Sequence, residues 1–384
     1  MIMVPKKRSR QTKPRSALRA ESPSRRSARG TERRQVALAL QGGGSHGAFT
    51  WGVLDRLLEE PSLEIVGISG TSAGAMNAAV LADGLREGAA AGQDALRRFW
   101  DALGRTLGFA HLQSAWMPRS PQEWHFENSP LFFWFNLLSS VLSPYELNPF
   151  NIHPLRPLIE HIDFEGLRSD PDAVRLFIGT TNVRTGRRRV FENAELSPDV
   201  LLASACLPLM FQAVKIDGEG YWDGGYTGNP AIAPLYRHTT ATDLVIIGIN
   251  PLFRERLPRT VREIDDRIDE ISFTSSFMLE LSAIAFIDEL LDVGAIDARR
   301  FRPLLIHAID GGSKLGALGA TSKMNNEHAF LRYLHGIGRQ MAEDWIARHL
   351  HDVGKRSTVD VASLVPLQED FHEGLVTSPQ YAGT

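Results

Sequence analysis

Ser72 stands in the pattern Gly70-x-Ser72-x-Gly74, between the apolar run Ile65-Val66-Gly67-Ile68 and the small-residue run Ala73 to Ala82. A serine in G-x-S-x-G that follows a strand and opens a helix is a nucleophile elbow: a sharp turn lifts its hydroxyl out of the sheet toward a substrate. Gly70 and Gly74 are required because a Cβ at either would strike the neighbouring strand or helix. The turn also leaves the Ala73 N–H at a helix N-terminus, where it can face an anion. The bland alternative, a serine that only caps the helix, is outweighed by the strand–turn–helix context.

A second glycine cluster lies upstream. Val36 to Leu40 is apolar and runs into Gln41-Gly42-Gly43-Gly44-Ser45-His46-Gly47. With no side chains in the way, backbone N–H groups there can point at an oxyanion, and one such donor is worth about 3–4 kcal/mol in a transition state. Gly42, Gly44 and Gly47 also fit the dinucleotide pattern G-x-G-x-x-G, but that reading needs a carboxylate at the end of the next strand. The next strand ends in Ile68-Ser69-Gly70 and has none. The third element is Asp223-Gly224-Gly225. A turn aspartate is often only a turn residue, but a serine nucleophile needs a base, and Asp223 is held by two glycines. A histidine base remains open at this point. Of 12 histidines, His238, His307 and His328 follow Asp223 in the order of an α/β-hydrolase triad, yet none sits in a distinctive loop. The glycine run of an α/β-hydrolase also lies several elements before its elbow, whereas Gly44 precedes Ser72 by 28 residues, one helix and one strand.

Gly-Gly-Gly-x-x-Gly after the first strand, Gly70-Thr71-Ser72-Ala73-Gly74 and Asp223-Gly224-Gly225 resemble, in order, the three blocks of the patatin-like phospholipases. Ala203-Ser204-Ala205-Cys206-Leu207-Pro208-Leu209-Met210-Phe211 resembles a further block of that family. The likeness covers roughly residues 35–250. It implies a Ser72–Asp223 dyad without histidine, an oxyanion hole of N–H groups from Gly42, Gly43, Gly44 and Ala73, and hydrolysis of lipid acyl esters without cofactor or metal. Gly47, Gly70, Gly74, Gly224 and Gly225 are its motif glycines. Two positions depart from the pattern. His46 stands where the family usually carries Arg or Lys, and Ala213 where it often has Pro.

The elements that must position these residues read as α/β. Strands are expected at Gln35–Leu40, Ile65–Ile68, Val174–Thr180, Arg187–Glu192, Asp243–Ile249 and Leu304–Ile309, with a short pair at Ala213–Ile216 and Gly220–Trp222. Helices are expected at Ala48–Glu60, Ala73–Ala82, Ala90–Leu103, Pro198–Ala205, Val261–Leu291 and Glu327–Leu350. Apolar strands alternating with helices predict a mostly parallel central sheet flanked by helices on both faces. An apolar insertion spans about 110–150. Its aromatic part, 124–147, is too short to span a bilayer and is expected to be either core or a lid that governs access to lipid surfaces.

Residues 1–34 carry 12 Lys/Arg and 2 Asp/Glu, so an acidic body bears a basic arm with almost no apolar residues. The expected organisation is a disordered arm at 1–34, one catalytic domain at 35–350 and a tail at 351–384. The arm lacks an apolar signal segment, and the single cysteine, Cys206, fits a reducing compartment. The expectation is a cytoplasmic protein with a peripheral membrane surface as a further option. The arm suits anionic lipid better than nucleic acid, for which no specific reader accompanies the charge. The partner expected is a lipid or acyl-ester substrate. A lipid-binding scaffold without turnover is the rival from another class.

Overall fold

The computed structural model describes residues 33–106, 141–252, 257–297 and 301–364. Eight strands form one sheet: β1 (Arg34–Leu40), β2 (Leu63–Gly70), β3 (Arg175–Asn182), β4 (Arg188–Glu192), β5 (Val214–Ile216), β6 (Glu219–Asp223), β7 (Asp243–Gly248) and β8 (Leu305–Asp310). The order is β5-β6-β3-β2-β1-β7-β8, with β4 also paired to β3. β3, β2, β1, β7 and β8 are parallel, while β4 and β6 run antiparallel to β3 and β5 antiparallel to β6. The longer helices are α1 (Gly47–Leu57), α2 (Ala73–Leu85), α3 (Ala89–Leu103), α4 (Pro198–Ser204), α5 (Val261–Asp292) and α6 (His328–His349).

β1 shows why the central strands are apolar throughout. Val36, Leu38 and Leu40 point into one core with residues of α1, α2, α3 and α6. Ala37 and Ala39 point into a second core with Phe277 and Leu281 of α5. A strand covered on both faces has no polar side to alternate with. The mostly parallel α/β sheet with helices on both faces is therefore the fold, and the strand and helix expectations hold to within a few residues.

Register positions the chemistry. Leu40 is level with Gly70 across β1 and β2, and with Ile247 across β1 and β7. The loops that leave these strands, Gln41–Gly44, Thr71–Ser72 and Ile249–Asn250, therefore emerge side by side at the carboxyl edge of the sheet, where ligands of such sheets bind. β6 joins them indirectly. Gly70 of β2 and Phe191 of β4 both pair with Ile178, so they lie on opposite edges of β3. Thr180 pairs with Arg189 of β4 and with Asp223 of β6, so β6 shares the edge that β2 occupies. Two residues further along β3, about 7 Å at strand rise, Asp223 takes the place that β2 vacates at Gly70.

Two expectations meet the structure differently. The stretch 107–140, which holds most of the apolar insertion and of the 124–147 segment, lies outside the described residues. The expected tail at 351–384 begins as part of the body. Gly354 N–H donates to Asp243 Oδ1 (2.7 Å), Thr358 N–H donates to Ile306 O (2.9 Å), and Val353 and Val361 are buried. Short turns and bends packed against the end strands of the sheet have too little periodicity to stand out in sequence.

Candidate active site

Ser72 is the turn between β2 and α2, with φ 55° and ψ −122°. A residue with a Cβ held at such angles costs about 1–3 kcal/mol and persists only where its surroundings impose it. Those surroundings are specific. The Ser72 N–H donates to Ser204 Oγ (3.0 Å), and Ser204 Oγ–H donates to Gly179 O (2.7 Å), which ties the turn to β3 through α4. Thr71 Oγ1–H donates to Gly228 O (2.7 Å). The Ser72 side chain makes no capping bond to α2 although it occupies the N-cap position, so its hydroxyl is not used as a cap.

Asp223 ends β6 and is fully buried. Its Oδ1 accepts the Gly225 N–H (2.7 Å), while Oδ2 has no hydrogen-bond partner. Burial raises its pKa from 3.8 to about 7, against the opposing pull of the Gly225 N–H and the nearby Ser72 hydroxyl. Ser72 thus lies close enough to act on the carboxyl although Oδ2 accepts no hydrogen bond, and hydrogen bonds of such groups are often poorly aligned before substrate binds. Gly224 and Gly225 form the following turn, where a Cβ would strike Gly179 O and the Phe273 ring respectively.

The glycine loop lies against the elbow. A Cβ on Gly42 would come within 2.7 Å of Ser72 Cβ and 2.5 Å of Thr71 O, so only glycine lets the two turns approach. Gly44 has φ 58°, the left-handed region that favours glycine. Among the described residues no protein acceptor meets the N–H groups of Gly43, Gly44 or Ala73. The Gly42 N–H differs: it donates to Asn229 Oδ1 (2.6 Å). Gly42 is thereby corrected from anion donor to anchor. Gly47 opens α1 close to Ala73 of the elbow, Gly70 ends β2, and Gly74 lies in the first turn of α2 against Leu40 and Gln41.

His46 is buried, bonds Ser322 Oγ through Nε2 (2.7 Å), and has its pKa lowered to about 3 by burial and then by the charge of Lys323. It is neutral, and Lys323 brings a cation beside the glycine loop. The three triad histidines are engaged elsewhere. His307 is buried against Asp243 (3.0 Å), His328 pairs with Asp101 (3.0 Å), and His238 lies 4.0 Å from Glu192. Cys206 is buried, and burial pushes its thiol up to about 12, so it is not a nucleophile at neutral pH. A cavity of about 1400 Å³ opens between β7, β8 and α5. Gln41, Ile249 and Asn250 are among its lining, but Ser72 and Asp223 are not.

Ser204, Asn229, Asn250 and Lys323 were not singled out from sequence. Ser204 lies in a block that the family resemblance did mark, and its two bonds explain that block's place beside the elbow. Ser204→Ala should lower kcat about tenfold with little change in KM, because an elbow freed from β3 samples misaligned geometries. It should also cost about 2 kcal/mol from unpairing the Ser72 N–H and Gly179 O. Unchanged kcat with lowered thermal stability would reduce Ser204 to a structural tie.

The family model described as patatin-like phospholipase matches residues 38–236. No curated protein matches the sequence. Similar solved structures include VipD from Legionella pneumophila, at 15% identity and TM-score 0.34 over 79% of this chain and 67% of that one. Another is a chain of the ExoU–SpcU heterodimer from the type III secretion system of Pseudomonas aeruginosa, at 16% identity and TM-score 0.30 over 90% of this chain. This chain spans 60% of the length of that chain. The matched residues 38–236 are more than half of the chain and hold the glycine loop, Ser72 and Asp223, and on that match the protein belongs to the patatin-like phospholipase family.

Proposed function

We propose that the protein is a serine lipid acyl hydrolase that cleaves acyl esters through Ser72 and Asp223. The observation that carries the reading is the pair itself. A half-buried serine on a strained turn, its hydroxyl unused as a cap, lies beside a buried carboxyl whose second oxygen has no partner. In the ionised form Asp223 takes the Ser72 proton as Oγ attacks the ester carbonyl. The oxyanion is held by the N–H groups of Gly43, Gly44 and Ala73. Asp223 returns the proton to the departing alcohol, leaving an acyl-Ser72. Water then gives a proton to Asp223, attacks the acyl carbon and releases the fatty acid, and the proton passes back to Ser72. No step calls on a histidine, in keeping with the separate partners of His238, His307 and His328.

Family membership supports a lipid acyl group as substrate. So does the surface near the site. Phe273 of α5 lies over Gly225, and on the same helix Val261, Ile264, Ile268, Ile271 and Leu279 are exposed. An exposed apolar stripe suits a lipid surface, and the net +10 of residues 1–34 suits anionic headgroups. We place the protein in the cytoplasm at such a surface.

The test is covalent labelling with a fluorophosphonate probe across pH 5 to 9. The labelling rate should rise with deprotonation of Asp223, half-maximal at about 7. Ser72→Ala should take no label. A protein that never labels would be the scaffold without turnover, and a label retained in Ser72→Ala would place the nucleophile elsewhere.

A further inference from the structure

Beyond the dyad, the loop that holds the oxyanion is itself held, by residues distant in sequence. The Gly42 carbonyl accepts from Asn250 Nδ2 (2.8 Å) and, more weakly, from Asn229 Nδ2 (3.3 Å). Asn250 Oδ1 in turn accepts from Lys323 Nζ (2.9 Å). Asn250 N–H and Ile249 N–H both donate to Gln41 Oε1 (3.1 and 2.9 Å), which fixes the loop carrying Asn250 to the residue just before Gly42. Asn250 is itself 7% exposed, so its amide bonds are sheltered from water. Asn250 and Lys323 lie outside residues 38–236, the part of the chain that the family model matches.

The Gly42–Gly43 peptide is planar and trans, so its carbonyl and the Gly43 N–H point in opposite directions. Fixing Gly42 O on two side-chain amides therefore fixes the Gly43 N–H facing away from them. That N–H has no protein acceptor among the described residues. The chain Lys323 ammonium → Asn250 amide → Gly42 carbonyl ends at this donor. Hydrogen bonds in series polarise one another in a poorly solvated site, so a cation at one end makes the N–H at the other end a stronger donor. The Lys323 charge is not dissipated at a distance. It lowers the pKa of His46, and it opposes the rise of the Asp269 carboxyl on α5, which also faces it. The Lys323 main chain also abuts the loop, since a Cβ on Gly44 would strike its carbonyl.

We propose that Lys323, acting through Asn250, is a positioning residue of the oxyanion loop: the Lys323–Asn250 pair aligns and polarises the Gly42–Gly43 peptide so that the Gly43 N–H binds the developing oxyanion. The inference rests on the serine hydrolase reading above. It differs from a structural role for Lys323 in what it predicts, because the charge acts on the transition state and not on the ground-state ester.

Lys323→Met removes the charge and keeps most of the stem. It should lower kcat for a soluble short-chain ester about tenfold, less than the loss of a whole oxyanion donor, with KM within twofold. Affinity for a trifluoromethyl ketone, whose adduct with Ser72 carries an oxyanion, should fall in step with kcat. Lys323→Arg should restore most of both, and Lys323→Gln, which keeps a donor to Asn250 without the charge, should fall between. Asn250→Ser tests the same relay at its middle member and should give the same split between kcat and KM, should Lys323→Met fold poorly. The parent and Ser72→Ala are measured alongside. If the parent depends on Ser72 but folded Lys323→Met and Asn250→Ser keep parental kcat and ketone affinity, the relay is wrong and the dyad stands. Equal losses with Arg, Gln and Met at 323 would also overturn it, since charge then makes no difference. Hydrolysis that survives Ser72→Ala overturns both readings together.

Discussion

Ser72→Ala is expected to lower kcat/KM for a short-chain nitrophenyl ester by at least about 10⁴-fold, since loss of a covalent nucleophile removes the acyl-enzyme route and leaves only what binding and oxyanion donors supply. The fold should survive. The Ser72 side chain makes no capping bond, and the bonds that hold the turn use its main-chain N–H and the Thr71 hydroxyl, which alanine leaves intact. The strain should survive as well, because alanine keeps a Cβ at φ 55°. Ser72→Gly separates the two effects: equally inactive, it should be more stable than Ser72→Ala by about 1 kcal/mol, as the disfavoured backbone angle is relieved against the greater entropy of an unfolded glycine. Thermal melts of both variants beside the parent make the measurement. Activity in Ser72→Ala within a few-fold of the parent would remove Ser72 from the chemistry.

The parts of this site that were legible in the sequence are those that need glycine. Close approach of the Gly42 loop to the elbow and the turn after Asp223 exclude Cβ atoms, and such exclusions leave glycines at fixed spacing. The sheet was legible for a related reason: strands buried on both faces give apolar runs such as Val36–Leu40 and Leu244–Ile247, and their alternation with helices marks a covered parallel sheet. The supports of the site left no such trace. Asn229 and Asn250 bond to Gly42 across 187 and 208 residues, and an amide in a loop has neither periodicity nor a motif of its own. The place of Asn250 follows only once register sets the ends of β1 and β7 side by side. The short helices at Pro144–Leu147, Arg156–Ile159 and Phe164–Ser169 leave no sequence signal, because four to six residues are too few to show a 3.6-residue repeat.

His46 shows how position and role separate. The resemblance called attention to it as a missing cation. In the fold, position 46 is buried beneath the glycine loop against Ser322 and the Phe330 ring, a place where an ammonium or guanidinium would need a partner to offset its desolvation. A neutral imidazole fits there, and Lys323 brings a charge to the same loop from a different element. Charge at an active site is a property of space, and one chain position does not own it.

Asp223→Asn should abolish turnover and stabilise the protein, and the second effect carries a sign that can be worked out in advance. A general base in the proposed role contributes on the order of 10²- to 10⁴-fold, and on the proposed dyad its loss should approach that of Ser72→Ala, as expected for residues that act as a unit. No substitution of His238, His307 or His328 should do the same. Stability follows from the raised pKa. A carboxyl whose pKa is higher in the fold than in the unfolded chain binds its proton more tightly when folded. Its contribution is therefore fully present below about 3.8 and is lost as pH rises through about 7. Above that range the ionised, buried Asp223 costs the fold about 4 kcal/mol, the free energy of moving a carboxyl pKa from 3.8 to about 7. Asparagine keeps the shape and the acceptor for the Gly225 N–H but cannot ionise. Its melting temperature should exceed the parent's at pH 8, and the difference should shrink through pH 6 and vanish near pH 4, where the parent too is neutral. Denaturant melts at pH 8 and pH 5 give the same comparison as free energies. A variant that is inactive but no more stable at pH 8 than at pH 5, relative to the parent, would mean that Asp223 is not a desolvated carboxylate at working pH, and its assignment as the base would have to be given up.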